Sequence, residues 1–359
     1  MFRLSSLTLA LSAGLAMTLL TGCNSDNDSS SATGSDYQYS TKAVYVARQD
    51  ADSYEVAPVG FTPVFTELVA RHGSRSLSSP KYDVLTKQIW DAASRQGALT
   101  DLGQKLGAKV DAVTAANRQL GYGLLSAVGK EEHALLATRL AERLPALLGK
   151  GGVPGCIRVE TSGKDRANES AYYFMESLAK RVDFITDSKA CYVSQQNPSE
   201  IDKGLRNKFE LYFHKTEPEG DYLQYLPAFQ AYMAFVGDEE EGVSPAPELS
   251  EALGGLKTQP QTRVMAREML ERLYSTAFVD ELAAGVEYVA VNPEDGDKTY
   301  VRDEVDAALM IYNLFIIGPG MIREAQAQGA PWDLEQFITP EESAWFSYLS
   351  DAEDFYEKG

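Results

Sequence analysis

Apolar positions fall along this chain in several distinct patterns. A mainly apolar run, Val64-Phe65-Thr66-Glu67-Leu68-Val69-Ala70, gives way at once to Arg71. A short stretch of this kind, ending where polarity rises abruptly, predicts a buried strand. Residues 156–161 (Cys-Ile-Arg-Val-Glu-Thr) predict a second strand, which turns through Ser162-Gly163-Lys164-Asp165-Arg166 into a helix. That helix carries Ala171, Phe174, Met175, Leu178 and Val182 on one side. Between the two strands, residues 84–148 keep a helical period, clearest where Leu136, Leu140, Leu144 and Leu147 form a stripe expected to pack on the sheet.

Beyond residue 199, helical patterns alternate with loops at 238–242 and 292–296. The apolar stretch 307–322 contains Asn313 and the break Gly318-Pro319-Gly320, which predicts a buried, interrupted helix rather than a membrane span. Thr339-Pro340-Glu341-Glu342 has the pattern of a capping box at a helix start. Trp345, Leu349, Ala352 and Tyr356 follow it at helical spacing, so Asp351 and Glu353 flank a packed alanine.

The candidate chemistry lies directly after the first strand, in Arg71-His72-Gly73-Ser74-Arg75. Arginines offer permanently charged planar forks for phosphate oxygens, and an imidazole nitrogen between them can act as nucleophile. Gly73 lets backbone come close to a bound group. Arg166 falls at a helix N-terminus, where free N–H groups and the helix dipole already favour an anion.

These two motifs, in this order, resemble the signatures of the histidine phosphatase superfamily, in its acid phosphatase and phytase branch. The likeness is greatest to the multiple inositol polyphosphate phosphatase group. The resemblance implies an α/β fold: a core sheet flanked by helices, with an inserted α-helical cap at 199–330. It implies His72 as the phosphorylated nucleophile and Arg71, Arg75 and Arg166 as the phosphate clamp. Lys81 and Lys164 are candidate contacts to further phosphates, and no cofactor or metal is implied. Leu99-Thr100-Asp101-Leu102-Gly103 and Glu132-His133, with Arg139 and Arg143, resemble the family's first helical region, where His133 has no catalytic part. Ser76-Leu77 departs from the aromatic-proline pair of many relatives. Relatives take a leaving-group acid from a C-terminal His-Asp or His-Ala-Glu. No histidine follows His214, so the likeness covers the N-terminal part of the family pattern, and a longer reading frame is expected. A noncatalytic binder of phosphorylated ligands is the alternative to a phytate-type phosphomonoesterase.

Charge and targeting narrow the setting. The formal net charge of −19 over 359 residues argues against nucleic acid as a partner, so a polyanion must meet a local basic pocket in an acidic shell. Arg3 and the apolar stretch 7–20 form an export signal too short to span a bilayer. Leu20-Thr21-Gly22-Cys23 resembles a bacterial lipoprotein box, which predicts cleavage before Cys23, a lipid on that cysteine and a membrane-anchored protein facing the periplasm or cell surface. Residues 24–40, rich in Ser, Asp and Asn, read as a tether. Export into an oxidising space favours a Cys156–Cys191 disulfide over two free thiols, and the absence of a CxxC or spaced histidine cluster argues against zinc. The expected organisation is signal 1–22, lipidated cysteine and tether 23–42, core 43–198, cap 199–330 and a returning helix at 331–359.

Overall fold

The computed structural model describes residues 36–148, 157, 159–162, 164–181, 226–237, 244–293 and 296–358. The signal, Cys23, Cys156, Cys191, the 238–242 loop and His214 lie outside the described residues.

Four helices follow the signature loop: α1 Lys81–Arg95, α2 Asp101–Leu120, α3 Ala127–Arg143 and the single turn α4 Pro145–Leu148. Thr100 and Ser126 cap α2 and α3 by accepting the N–H of Gly103 and Gly129, which satisfies a donor each helix start leaves open. Helix α5, Asp165–Ala179, comes next. Then follow α6 Leu226–Val236, α7 Pro247–Thr258, α8 Pro260–Leu273 and α9 Thr276–Ala283. After the hairpin of strands β1 Tyr288–Val291 and β2 Lys298–Val301 come α10 Glu304–Ile316, α11 Ile322–Ala327 and α12 Pro340–Lys358.

The main apolar interior joins both halves of the chain. Leu85 and Ile89 of α1, Leu106 and Val110 of α2, Met269 and Leu273 of α8, Ile311 and Phe315 of α10, and Phe346 of α12 share one cluster. Residues expected from sequence in the core and residues expected in the cap therefore bury their apolar faces together. A second cluster lies between α3 and α5, where Ala137 and Ala141 meet Met175 and Leu178, with Leu140, Leu144, Leu147 and Phe174 at its edge. Among the described residues Leu140, Leu144 and Leu147 of the stripe thus meet helix α5, with Ile157 and Val159 of the expected second strand beside them; the small alanines let α5 approach closely.

One expected strand takes a different form, and the other is described only in part. The run 64–70 is irregular and open to solvent, with Val64 87% and Val69 88% exposed. Among residues 156–161, the described ones, Ile157 and 159–161, belong to no named strand. Apolar composition says that a segment gains by burial. It does not say which neighbour supplies the hydrogen bonds, and a strand without a paired neighbour is not stable by itself. The sheet that is described is instead the antiparallel β1–β2 hairpin, registered Tyr288 to Val301 through Val291 to Lys298. The expected loop at 292–296 is its connection, closed by Asn292 N–H donating to Asp297 O at 2.8 Å.

The late helices follow their sequence patterns. Helix α10 is buried along its length, and the Gly318-Pro319-Gly320 break sets a 44° bend before Pro319–Ala327. No single helix among the described residues is long and apolar enough to cross a membrane. At α12 the capping box forms in both directions: Thr339 N–H donates to Glu342 Oε2 at 2.9 Å, and Glu342 N–H to Thr339 Oγ1 at 3.2 Å. Trp345, Leu349 and Ala352 face the main cluster, but Phe346 lies deepest and Tyr356 is exposed. Asp351, on the outer side, accepts a hydrogen bond from Ser40.

Candidate active site

The loop 71–77 is held from several sides by neighbouring elements. Gly73 N–H donates to Ser170 Oγ on α5 at 3.1 Å, and Ser126 N–H donates to Ser74 O at 2.9 Å. Arg75 pairs with Leu125 as an isolated bridge, and Ser76 N–H donates to Leu124 O at 3.0 Å. Ser76 and Leu77, the pair that departs from the family pattern, turn inward. Ser76 Oγ donates to Gly121 O at 2.7 Å, Leu77 N–H donates to Asn117 Oδ1 at 2.7 Å, and the Leu77 side chain is buried. These bonds satisfy backbone groups that a buried irregular loop would otherwise leave unpaired.

Close approach depends on glycine. A Cβ at Gly73 would stand 2.5 Å from Gly129 O, and one at Gly129 would stand 2.1 Å from Ser74 O. Both contacts are with backbone that cannot swing away, so neither position accepts a side chain without the loop moving off α3.

Within this frame His72 is half-buried, and its Nδ1 lies 2.8 Å from Gly73 O. A carbonyl only accepts, so Nδ1 carries the proton and Nε2 keeps its lone pair. Burial lowers the imidazole to about 4; the Gly73 bond opposes this, and the charges of Arg75, Arg71 and Arg166 reinforce it. The ring is therefore neutral near pH 7, the state a nucleophile needs.

The three arginines act on His72 and on one another. Arg75 is lowered to about 10, first by burial, then by Arg166 and Arg71. Arg166, the second residue of α5, is lowered by burial and then by Arg71. Arg75 Nη1 donates to Ser76 O at 2.8 Å, yet the Nε of Arg75 and of Arg166 are buried with no hydrogen-bond partner among the described residues. Arg71 is exposed and donates to Thr41 O. Like charges held together with unpaired donors raise the free energy of the fold, and an anion bound there offsets that cost.

The remaining sequence candidates are more peripheral. Lys164 is exposed at the N-cap of α5, and Lys81 stands 5.2 Å from the Tyr82 ring at the start of α1. Lys87, a further lysine of α1, is taken up by the Trp90 ring and Asp91, a surface arrangement. His133 is buried, with Nε2 3.1 Å from Arg71 O, in keeping with a structural histidine. Among the described residues no group of three or more His, Cys, Asp or Glu could hold a metal ion. The sequence pattern placed Glu132 in the first helical region without a part at the site and did not mark Ser170, yet both grip the loop.

Comparison with known proteins bears on this cluster. The family model of the histidine phosphatase superfamily (branch 2) matches residues 65–210, which include all four residues of the cluster. The solved structures of a Bifidobacterium longum multiple inositol polyphosphate phosphatase superpose over 89% of the chain. Its complex with inositol hexasulfate gives 26% identity, a TM-score of 0.70 and 70% coverage of that protein. The apo form gives 26%, 0.71 and 69%, and the phosphate complex 25%, 0.67 and 69%. The fold is the histidine phosphatase fold of these neighbours. No curated protein matches the sequence. In this histidine phosphatase fold, a mostly helical α/β arrangement with a small sheet, the signature loop and the start of α5 supply one cationic cluster around a neutral imidazole.

Proposed function

We propose that this chain is an exported, lipid-anchored phosphomonoesterase that acts on inositol polyphosphates such as phytate through a phosphohistidine at His72. The observation that carries the reading is the neutral imidazole, its Nδ1–H tied to Gly73 O, beside arginines with unpaired buried Nε donors. Arg71, Arg75 and Arg166 hold the phosphoryl oxygens as charge shifts onto them. The Nε2 lone pair of His72 forms an N–P bond while the ester P–O bond breaks, and the leaving alkoxide takes up a proton from water. Water then attacks phosphorus, the N–P bond breaks, and inorganic phosphate leaves. Lys81 and Lys164 are proposed to meet further phosphates of the substrate. The substrate class draws support from the inositol hexasulfate and phosphate complexes of the Bifidobacterium longum enzyme. The anchored location rests on the lipoprotein-like Leu20-Thr21-Gly22-Cys23.

The test is alkaline trapping of the phosphoenzyme from phytate and from p-nitrophenyl phosphate, together with continuous phosphate release. Labelling lost in His72→Ala supports the reading, and undiminished labelling of that variant refutes it. A single burst without continued release assigns ligand binding instead of turnover. Cys23→Ser should abolish detergent partitioning of the expressed protein; unchanged partitioning refutes the lipid anchor.

A further inference from the structure

Three residues on one face of α3 touch the backbone on both sides of His72. Gly129, Glu132 and His133 are spaced i, i+3, i+4, the spacing that places side chains on a single helical face. His133 Nε2 is 3.1 Å from Arg71 O, the carbonyl just before His72. Glu132 Oε2 accepts Ser74 N–H at 2.6 Å, just beyond Gly73, and its Oε1 accepts Ser74 Oγ–H at 3.0 Å and Tyr45 N–H at 2.7 Å. Gly129 leaves the space into which Ser74 O fits. Both Glu132 and His133 are buried.

We propose that this α3 face is a positioning seat for the nucleophile. His133 donates to the carbonyl on one side of His72 and Glu132 accepts from the amide on the other, so the seat fixes the course of the loop and the aim of Nε2. The same Glu132 carboxylate also ties the N-terminal segment at Tyr45 to the loop. The inference rests on the phosphohistidine reading for its rate measurement, but not for its spectroscopic one.

The chemistry of each partner makes the seat selective. Glu132 is an acceptor at both oxygens and every group it meets is an N–H or O–H donor. Glu132→Gln turns one oxygen into an NH₂ that must face a donor, so at least one bond to the loop or to Tyr45 is lost. A misplacement near 1 Å costs about 100-fold in rate. We therefore expect the single-turnover rate of His72 phosphorylation by saturating p-nitrophenyl phosphate to fall roughly 10- to 100-fold in Glu132→Gln. Inorganic phosphate affinity should stay within about threefold, because Arg75 and Arg166 are untouched. Glu131→Gln is the control: this neighbour is exposed and paired with Arg323 at 2.7 Å, and its rate should match the wild type. For the other half of the seat, His133→Leu should lose rate and His133→Gln, which keeps a donor, should recover most of it.

A Glu132→Gln rate per folded molecule within threefold of the wild type overturns the proposal, as does equal loss in His133→Leu and His133→Gln. If Glu132→Gln does not fold, the His133 pair decides. If the wild type itself forms no phosphoenzyme, the phosphatase reading fails and the seat is read from the ¹⁵N signals of His72. A protonated Nδ1 in the wild type that is perturbed in Glu132→Gln or His133→Leu sustains the seat, and unchanged signals in both variants overturn it.

Discussion

An imidazole lowered from 6.5 to about 4 carries a measurable pH signature. Down to roughly pH 5 an ordinary histidine becomes almost wholly protonated, whereas His72 should stay about nine-tenths neutral. In the folded state burial disfavours the imidazolium, so the unfolded chain takes up the proton first. Stability linked to His72 is therefore full above pH 6.5 and is lost as the pH falls toward 4. Between pH 8 and pH 5 that loss is at most about 2 kcal/mol, and about 1 kcal/mol once solvent screening of the half-buried ring is allowed for. The lower limit of pH 5 keeps the protein above its pI of about 4.6, where solubility falls. Two assays follow. The chain has three histidines, His72, His133 and His214, so a proton NMR titration with His72→Ala as the assignment standard isolates the ring. Denaturant unfolding of the wild type and His72→Ala at both pH values gives the energy. The wild type should lose about 1 kcal/mol more than the variant on going to the lower pH. A His72 midpoint at or above about 6, or parallel pH profiles for the two proteins, would refute the burial argument.

Three further outcomes follow from the packing. Arg75→Gln should weaken phosphate binding about 10- to 100-fold by calorimetry, since a charge-assisted bond is lost; in phosphate-free buffer it should raise the melting temperature, because it relieves Arg75 of the nearby Arg166 and Arg71 charges. Gly129→Ala should cost about 1–3 kcal/mol in urea unfolding and slow phosphoenzyme formation, because its Cβ meets Ser74 O. Arg272→Met should cost about 3–5 kcal/mol and exceed the cost of Glu342→Gln. Glu342 is buried and bound by Arg272 at 2.6 and 2.5 Å, so removing the arginine strands a carboxylate away from water, whereas Arg272 itself reaches solvent.

Local chemistry was legible wherever a single segment determines it. The capping box at Thr339 and Glu342, the interrupted helix at 318–320, the helices of 81–148 and the start of α5 at Arg166 all follow from short-range rules. Each is fixed by spacing along the chain and by backbone groups a few residues away. Histidine between arginines also stated its chemistry in one pentapeptide. What the pattern could not state was the identity of distant partners. The run 64–70 has the composition of a strand, yet it finds no ladder among the described residues, while the segments on either side of the expected 292–296 loop, for which the pattern named no strand, pair as the hairpin. The stripe at 136–147 found α5, because burial energy is nearly indifferent to whether the covering surface is a sheet or a helix. The aim of His72 was likewise decided by tertiary contact. Glu132, His133, Ser126 and Ser170 are far from it in sequence, and only folding brings their donors and acceptors to the loop that needs them.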